Sequence, residues 1–228
     1  MTVALCLITW NEIEGCKHDV PLIDNNQFEQ IFCLDGGSKD GTSEYLETQC
    51  ITVYQQKENG LNSACKEAVN YCLCDAIIFY HPKGTIPVTD IYKFREFFDS
   101  GYDLVIASRM MTHSVNEEDS HFLKPRKWFV LALSTLASLL FRREGNMIWD
   151  VLHGFRGMIV VSFQKLDISN FSPSIDIEMV CRSYKFRLKR IEFPTKEVSR
   201  IAGETHFKAF ATGKKLLKYI WREIKRKD

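Results

Sequence analysis

The segment Ile8-Thr9-Trp10-Asn11-Glu12 puts an indole and a carboxylate close together at the end of an apolar run. An aromatic ring offers a stacking face, and a carboxylate accepts hydrogen bonds from ribose hydroxyls or base N–H groups. By itself the same segment also reads as a polar strand-to-helix turn capped by Asn11. Asp35-Gly36-Gly37-Ser38-Lys39-Asp40-Gly41-Thr42 ends a second apolar run, and its glycines permit tight turns. His81-Pro82-Lys83-Gly84 ends another. An ammonium at Lys83 repels a divalent cation and can itself neutralise a phosphate charge. His81 has the chemistry to ligate a soft divalent ion, although a single histidine more often hydrogen-bonds. Asp176 opens a helical stretch, where a carboxylate is a general base, a positioning group or a charge that suits a helix N-terminus.

These residues punctuate segments that alternate between strand and helix. Residues 3–9, 28–34, 51–55, 76–80 and 103–107 have strand character, separated by helical patterns over 43–49, 61–72 and 90–100. The alternation predicts βαβ units and an α/β fold with a mostly parallel sheet, helices on both faces, and ligands at the carboxyl edge of the strands. Residues 111–120 are polar, acidic and without apolar period, as in a mobile loop. Further on, 158–161 reads as strand, 177–184 as helix and 190–194 as a late strand. From Gly213 the chain reads as one helix, with Leu216, Leu217, Ile220, Trp221 and Ile224 at helical spacing.

The 228 residues, 45% hydrophobic and 26% charged, suffice for one compact unit with a full core. A net charge of +1 excludes the electrostatic footprint of a nucleic-acid-binding protein. The eight cysteines show no zinc spacing and fall mostly in apolar runs, which predicts buried, reduced thiols in a reducing compartment. The N-terminal apolar run lacks a basic leader and meets Glu12 too early for a signal peptide. The apolar run 128–141 is short of the roughly 20 residues that span a bilayer. Flanked by Arg126, Lys127, Arg142 and Arg143, it is either an interfacial helix or a buried core helix. The tail adds Lys214, Lys215, Lys218, Arg222, Lys225, Arg226 and Lys227 against the acids Glu223 and Asp228, a composition that suits an anionic membrane surface.

Taken in order, these motifs resemble glycosyltransferase family 2, with the GT-A nucleotide-sugar-binding fold, and within it the dolichyl- or polyprenyl-phosphate mannose and glucose synthases. Residues 8–12 are similar to P-T-Y-N-E, and residues 33–42 to V-V-D-D-G-S-x-D-G-T with Gly36 in place of the second Asp. Residues 81–91, His81-Pro82-Lys83-Gly84-Thr85-Ile86-Pro87-Val88-Thr89-Asp90-Ile91, align with D-x-D-G-x-x-P-x-x-D-I. Ser108-Arg109, Arg126, the D-x-x-S-G-F-R-like stretch from Asp150 to Arg156, Asp176-Ile177-Glu178 and Arg200-Ile201-Ala202-Gly203-Glu204-Thr205-His206 complete the resemblance.

The resemblance implies that Ile8, Trp10, Glu12, Cys33, Asp35, His81, Pro82, Lys83, Arg109, Arg200 and His206 bind a nucleotide-sugar donor, with Asp35 taking the base N–H. It implies that Arg126 and Arg156 meet the acceptor, and that Lys83, Asp176 and Arg200 are the catalytic set. Residues 1–110 would form the donor half and 111–228 the acceptor half of one domain. The expected activity is inverting transfer of a hexose to a polyprenyl phosphate or related membrane-linked acceptor, by a protein peripheral to the cytosolic membrane face. A family Mg2+ or Mn2+ ion is conceivable, yet both acidic ligands are replaced, so no metal ligand is assigned. Two other functions fit the residues: transfer to a sugar hydroxyl in surface polysaccharide synthesis, with Asp176 as base, and nucleotide binding without catalysis. If protonated His206 contributes, activity falls as pH rises through about 6 to 7, and a flat profile there removes the role.

Overall fold

A computed structural model describes residues 1–120, 124–202 and 209–226. The chain runs β1 (Val3–Thr9), α1 (Ile13–Asp19), β2 (Gln30–Asp35), α2 (Thr42–Thr48), β3 (Thr52–Gln55), α3 (Leu61–Tyr71), β4 (Ala76–Tyr80) and α4 (Lys93–Asp99). It continues with β5 (Leu104–Ser108), α5 (Pro125–Phe141), β6 (Arg156–Ile159), α6 (Val160–Lys165), α7 (Ile175–Lys185), β7 (Arg190–Pro194) and α8 (Ala209–Lys225).

The seven strands form one sheet in the order β3-β2-β1-β4-β6-β5-β7. All neighbours are parallel except β6, which runs antiparallel to β4 and β5. The sheet therefore runs unbroken from strands before residue 110 to β6 and β7 after it. Central strands β1, β4 and β5 are buried along their whole length, which is why they read as continuous apolar runs. Alternate residues feed opposite layers. Ala4, Cys6 and Ile8 face α3, α5, α7 and α8, while Val3, Leu5 and Leu7 face α1, α2 and α4. Chain order reverses between β1 and β4, and the crevice at their carboxyl ends is where such sheets receive ligands.

Several local expectations need correction. Residues 158–161 are not a strand throughout: β6 ends at Ile159, and α6 follows because Phe163 turns into the core while Ser162 Oγ donates to Asp103 at 2.6 Å. The stretch 90–100 divides into a 3-10 turn, Val88–Tyr92, and α4. All eight cysteines are free; Cys6, Cys16, Cys33, Cys65 and Cys181 are buried, whereas Cys50 is exposed.

Helices α5 and α8 are apolar on two sides. In α5, Val130, Leu133, Ala137 and Phe141 pack inward, whereas Trp128, Leu136, Leu139 and Leu140 face out, Leu139 at 80% exposure. One face of α5 is therefore a core face, and the other is apolar and exposed. In α8 the predicted single apolar face is divided: Leu216, Tyr219 and Ile220 turn inward, and Leu217, Trp221 and Ile224 outward. The two helices adjoin, since a Cβ on Gly213 would touch the Phe129 ring. Glu223 is 2% exposed and accepts from Arg182 Nη1 at 3.1 Å and Lys185 Nζ at 3.0 Å. Arg226 pairs at the surface with the exposed Asp167 and lies 3.8 Å from the buried Glu178.

No helix among the described residues is long and apolar enough to cross a membrane. Removing one partner of a buried ion pair leaves an uncompensated charge. Glu223→Ala is expected to lower unfolding free energy by about 3 kcal/mol, measured by urea denaturation. An unchanged midpoint would show that α8 is held by apolar contacts alone.

Candidate active site

The turn after β1 is clipped to the turn after β2. Asn11 adopts a left-handed φ of 51°, which asparagine tolerates. Its N–H donates to Ser38 Oγ at 2.8 Å, and its side-chain oxygen accepts from Lys39 N at 2.8 Å. Thr42 Oγ1 accepts from Glu12 N at 3.0 Å, and Asp40 accepts from Ile13 N at 3.1 Å. This clip fixes Trp10, 48% exposed, and Glu12, 7% exposed, at the carboxyl edge of the sheet.

Asp35, expected at the base, supports that clip in this structure. It is wholly buried, and its oxygens accept from Thr9 Oγ1 (2.8 Å), Gly37 N (2.9 Å), Ser38 N (2.7 Å) and Ser38 Oγ (2.5 Å). Cys33 also cannot present its side chain to a ligand: the thiol is buried beside Thr9, and burial pushes its pKa up to about 12. Gly36, in place of a motif carboxylate, has room for a side chain at ordinary contact distance from Thr9 and Trp10.

The loop after β4 is held from below by residues that carried no sequence signal. Asp19 Oδ2 accepts from Tyr80 Oη and Gly84 N, each at 2.9 Å. Gly15 lets α1 approach so closely that any Cβ would collide with the buried Pro82 carbonyl. An isolated glycine inside a helical pattern was the available hint. Gly84 has a left-handed φ of 66° and lies beneath Ile201. The segment after β7 crosses this loop as a strap, with Val198 N donating to Thr85 O at 2.8 Å.

Lys83 and Arg200 thereby converge on Glu12. Arg200 Nη2 lies 2.7 and 2.6 Å from the two Glu12 oxygens, and Lys83 Nζ is 4.0 Å from Oε1. Burial lowers the Lys83 pKa, while Glu12 pulls it back up. His81 is neutral: burial, then Lys83, depress its pKa to about 3, and Nδ1 faces Ile8 O at 3.2 Å. Its Nε2 packs against Gly154. Positions 81–83 thus offer a hemmed imidazole and a cation where the motif has two carboxylates. That donor set does not fit Mg2+ or Mn2+, and no group of three His, Cys, Asp or Glu among the described residues does.

Arg109, just after β5, is engaged by two carboxylates. Nε and Nη2 bind Asp150 at 2.8 and 3.0 Å, and Nη1 reaches Glu197 at 3.1 Å, a partner missed in the sequence. Burial opposes ionisation of Asp150, but Arg109 still holds its pKa well below the usual carboxylate range. Arg156, expected at the acceptor, is held by internal partners in this structure. It is 1% exposed and donates to His153 O and to Asp176 O, with Nε 3.2 Å from the Asp176 carboxylate. Burial raises the Asp176 pKa despite Arg156, and the side chain keeps 20% exposure. His153, buried and donating through Nδ1 to Ala107 O, is depressed to about 3 by burial and by Arg109. Arg126 lies exposed in the first turn of α5. His206 falls outside the described residues.

The fold, a seven-stranded and mostly parallel sheet with helices on both faces, is of the GT-A type. Glucosyl-3-phosphoglycerate synthase of Mycobacterium tuberculosis, crystallised with Mn2+ and UDP-glucose, superposes with a TM-score of 0.74 at 15% identity, over 100% of this chain and 80% of that one. Its complex with phosphoglyceric acid gives 0.71 at 16%, over 100% and 81%. Glycosyltransferase AglJ of Haloferax volcanii is 25% identical over 231 residues, 97% of this chain and 72% of that protein. The family model described as Glycosyl transferase family 2 matches residues 8–167, well over half of the chain, so the protein belongs to that enzyme family.

A desolvated ammonium loses its proton at lower pH than a surface lysine. Affinity of this site for inorganic pyrophosphate should therefore decline before ordinary lysines titrate, and Lys83→Arg should abolish the decline. Calorimetry through the alkaline range measures this, and parallel curves for both proteins would refute it.

Proposed function

We propose that the protein transfers a hexose from a nucleotide-sugar to a polyprenyl phosphate or related lipid phosphate at the cytosolic membrane face. The observation that carries this reading is the outward apolar face of α5 and α8. Trp128, Leu139, Trp221 and Ile224 are all at least 48% exposed, beside the solvent-facing cations Lys215 and Lys218. Exposed aromatic and aliphatic anchors among lysines suit an interface of acyl chains and anionic headgroups. A lipid-linked acceptor would be delivered there without leaving the bilayer.

In the proposed step, an oxygen of the acceptor phosphate attacks the anomeric carbon in line, and the bond from that carbon to the diphosphate breaks with inversion. The nucleoside diphosphate leaves with the bonding pair, its charge received by Lys83 and Arg200. An ionised phosphate has no proton to lose, so this reaction needs no general base. Lys83 takes the electrostatic part that a divalent ion plays elsewhere. The M. tuberculosis complexes make UDP-glucose the first donor to test.

One observation favours a sugar-hydroxyl acceptor. Asp176 keeps a partly exposed carboxylate with a raised pKa, the property of a useful base. The discriminating assay supplies a panel of nucleotide hexoses with polyprenyl phosphate in anionic vesicles, in the presence of EDTA. Hexose is expected in the lipid phase, and Asp176→Asn should retain transfer. Transfer restricted to soluble hydroxyl acceptors and abolished by Asp176→Asn would establish the rival. Loss in EDTA with rescue by Mn2+ would overturn the role given to Lys83.

A further inference from the structure

Glu12 stands where two independently anchored cations meet. Its own backbone is set by the clip to Thr42, Lys83 by the Asp19 bond to Gly84 N, and Arg200 by the strap that crosses Thr85. The other carboxylates near Lys83 are engaged elsewhere, Asp176 with Arg156 and Glu197 with Arg109. Among the described residues, the ion pairs of Glu12 are with Arg200 and Lys83. Two partly buried cations at close range repel, and low polarity makes that repulsion costly unless an anion lies between them. A carboxylate and a phosphate present the same kind of paired oxygens to a guanidinium.

We propose that Glu12 is the internal counter-anion of the diphosphate seat, so that a ligand's diphosphate binds by displacing this carboxylate from Arg200 and Lys83. The proposal rests on the donor reading above and deepens it. No covalent change is involved: Glu12 exchanges places with an anion, and returns as the nucleoside diphosphate departs. The two cations keep an anionic partner in both states without an added cation. Binding is weakened by competition with Glu12, and release of the product is hastened by the same competition.

The sign of a mutational effect separates this role from direct recognition of the nucleoside. If Glu12 held ribose or base, replacing it would weaken nucleotide binding and leave pyrophosphate untouched. If it is the counter-anion, Glu12→Gln keeps the shape and releases both cations. Calorimetry with the full chain is expected to give inorganic pyrophosphate a dissociation constant at least about tenfold lower for Glu12→Gln than for the unmodified protein. Unchanged or weaker pyrophosphate binding overturns the proposal, as does failure of both proteins to bind it. Should Glu12→Gln fail to fold, judged by thermal unfolding, Glu12→Asp serves: its shorter arm withdraws from Arg200, and tighter binding is again expected. Pyrophosphate bound with the predicted gain, but no nucleotide-sugar bound by either protein, would sustain the counter-anion and sink the donor reading instead.

Discussion

Two cations brought from distant parts of the chain share one carboxylate at the carboxyl edge of the sheet, and the rest of the site is arranged around that meeting. Lys83 arrives on the loop after β4, Arg200 on the strap after β7, and Glu12 on the turn after β1. Desolvated like charges do not stay together without an anion. The topology places Glu12 and Lys83 on either side of the crevice between β1 and β4, where chain order reverses. Arg200 enters only because the strap pairs with Thr85 and lies over Gly84.

Much of the motif chemistry is structural. Asp35, Ser38, Asp40 and Thr42 bind backbone N–H groups of their own turn or of residues 11–13, and so hold the turn after β1 in shape. Arg109 and Asp150 are joined as a bidentate pair that also anchors the strap through Glu197. Arg156 sits beneath Asp176 and fixes its backbone and carboxylate together. Charged side chains can thus be parts of a scaffold, and the groups that remain partly exposed at this edge are Trp10, Lys83, Asp176 and Arg200.

A second constraint acts on the outer layer. α5 and α8 cover one face of the sheet, and each has more apolar residues than that face can absorb. Buried Glu223 locks α8 through Arg182 and Lys185, which fixes the outward rotation of Leu217, Trp221 and Ile224. The surface that results is apolar and cationic together, and it belongs to the same half of the molecule as Asp176.

The strands, most helices and the order of the motifs were legible in the chain, because a buried parallel strand must be a continuous apolar run and tight turns demand glycine. The replacement of both acids by His81 and Lys83 was equally plain, and with it the poor fit to a divalent ion. Side-chain partners were not legible. Asp35 and Arg109 carry charges that spacing alone would send to a ligand, yet the fold surrounds them with donors and acids from segments far away in sequence. Nor could periodicity tell the inner from the outer apolar side of α8, since both repeat every three to four residues. Composition and local pattern determined which elements form; only their packing decided which charges neutralise one another and which remain for chemistry, because pairing depends on distance in space.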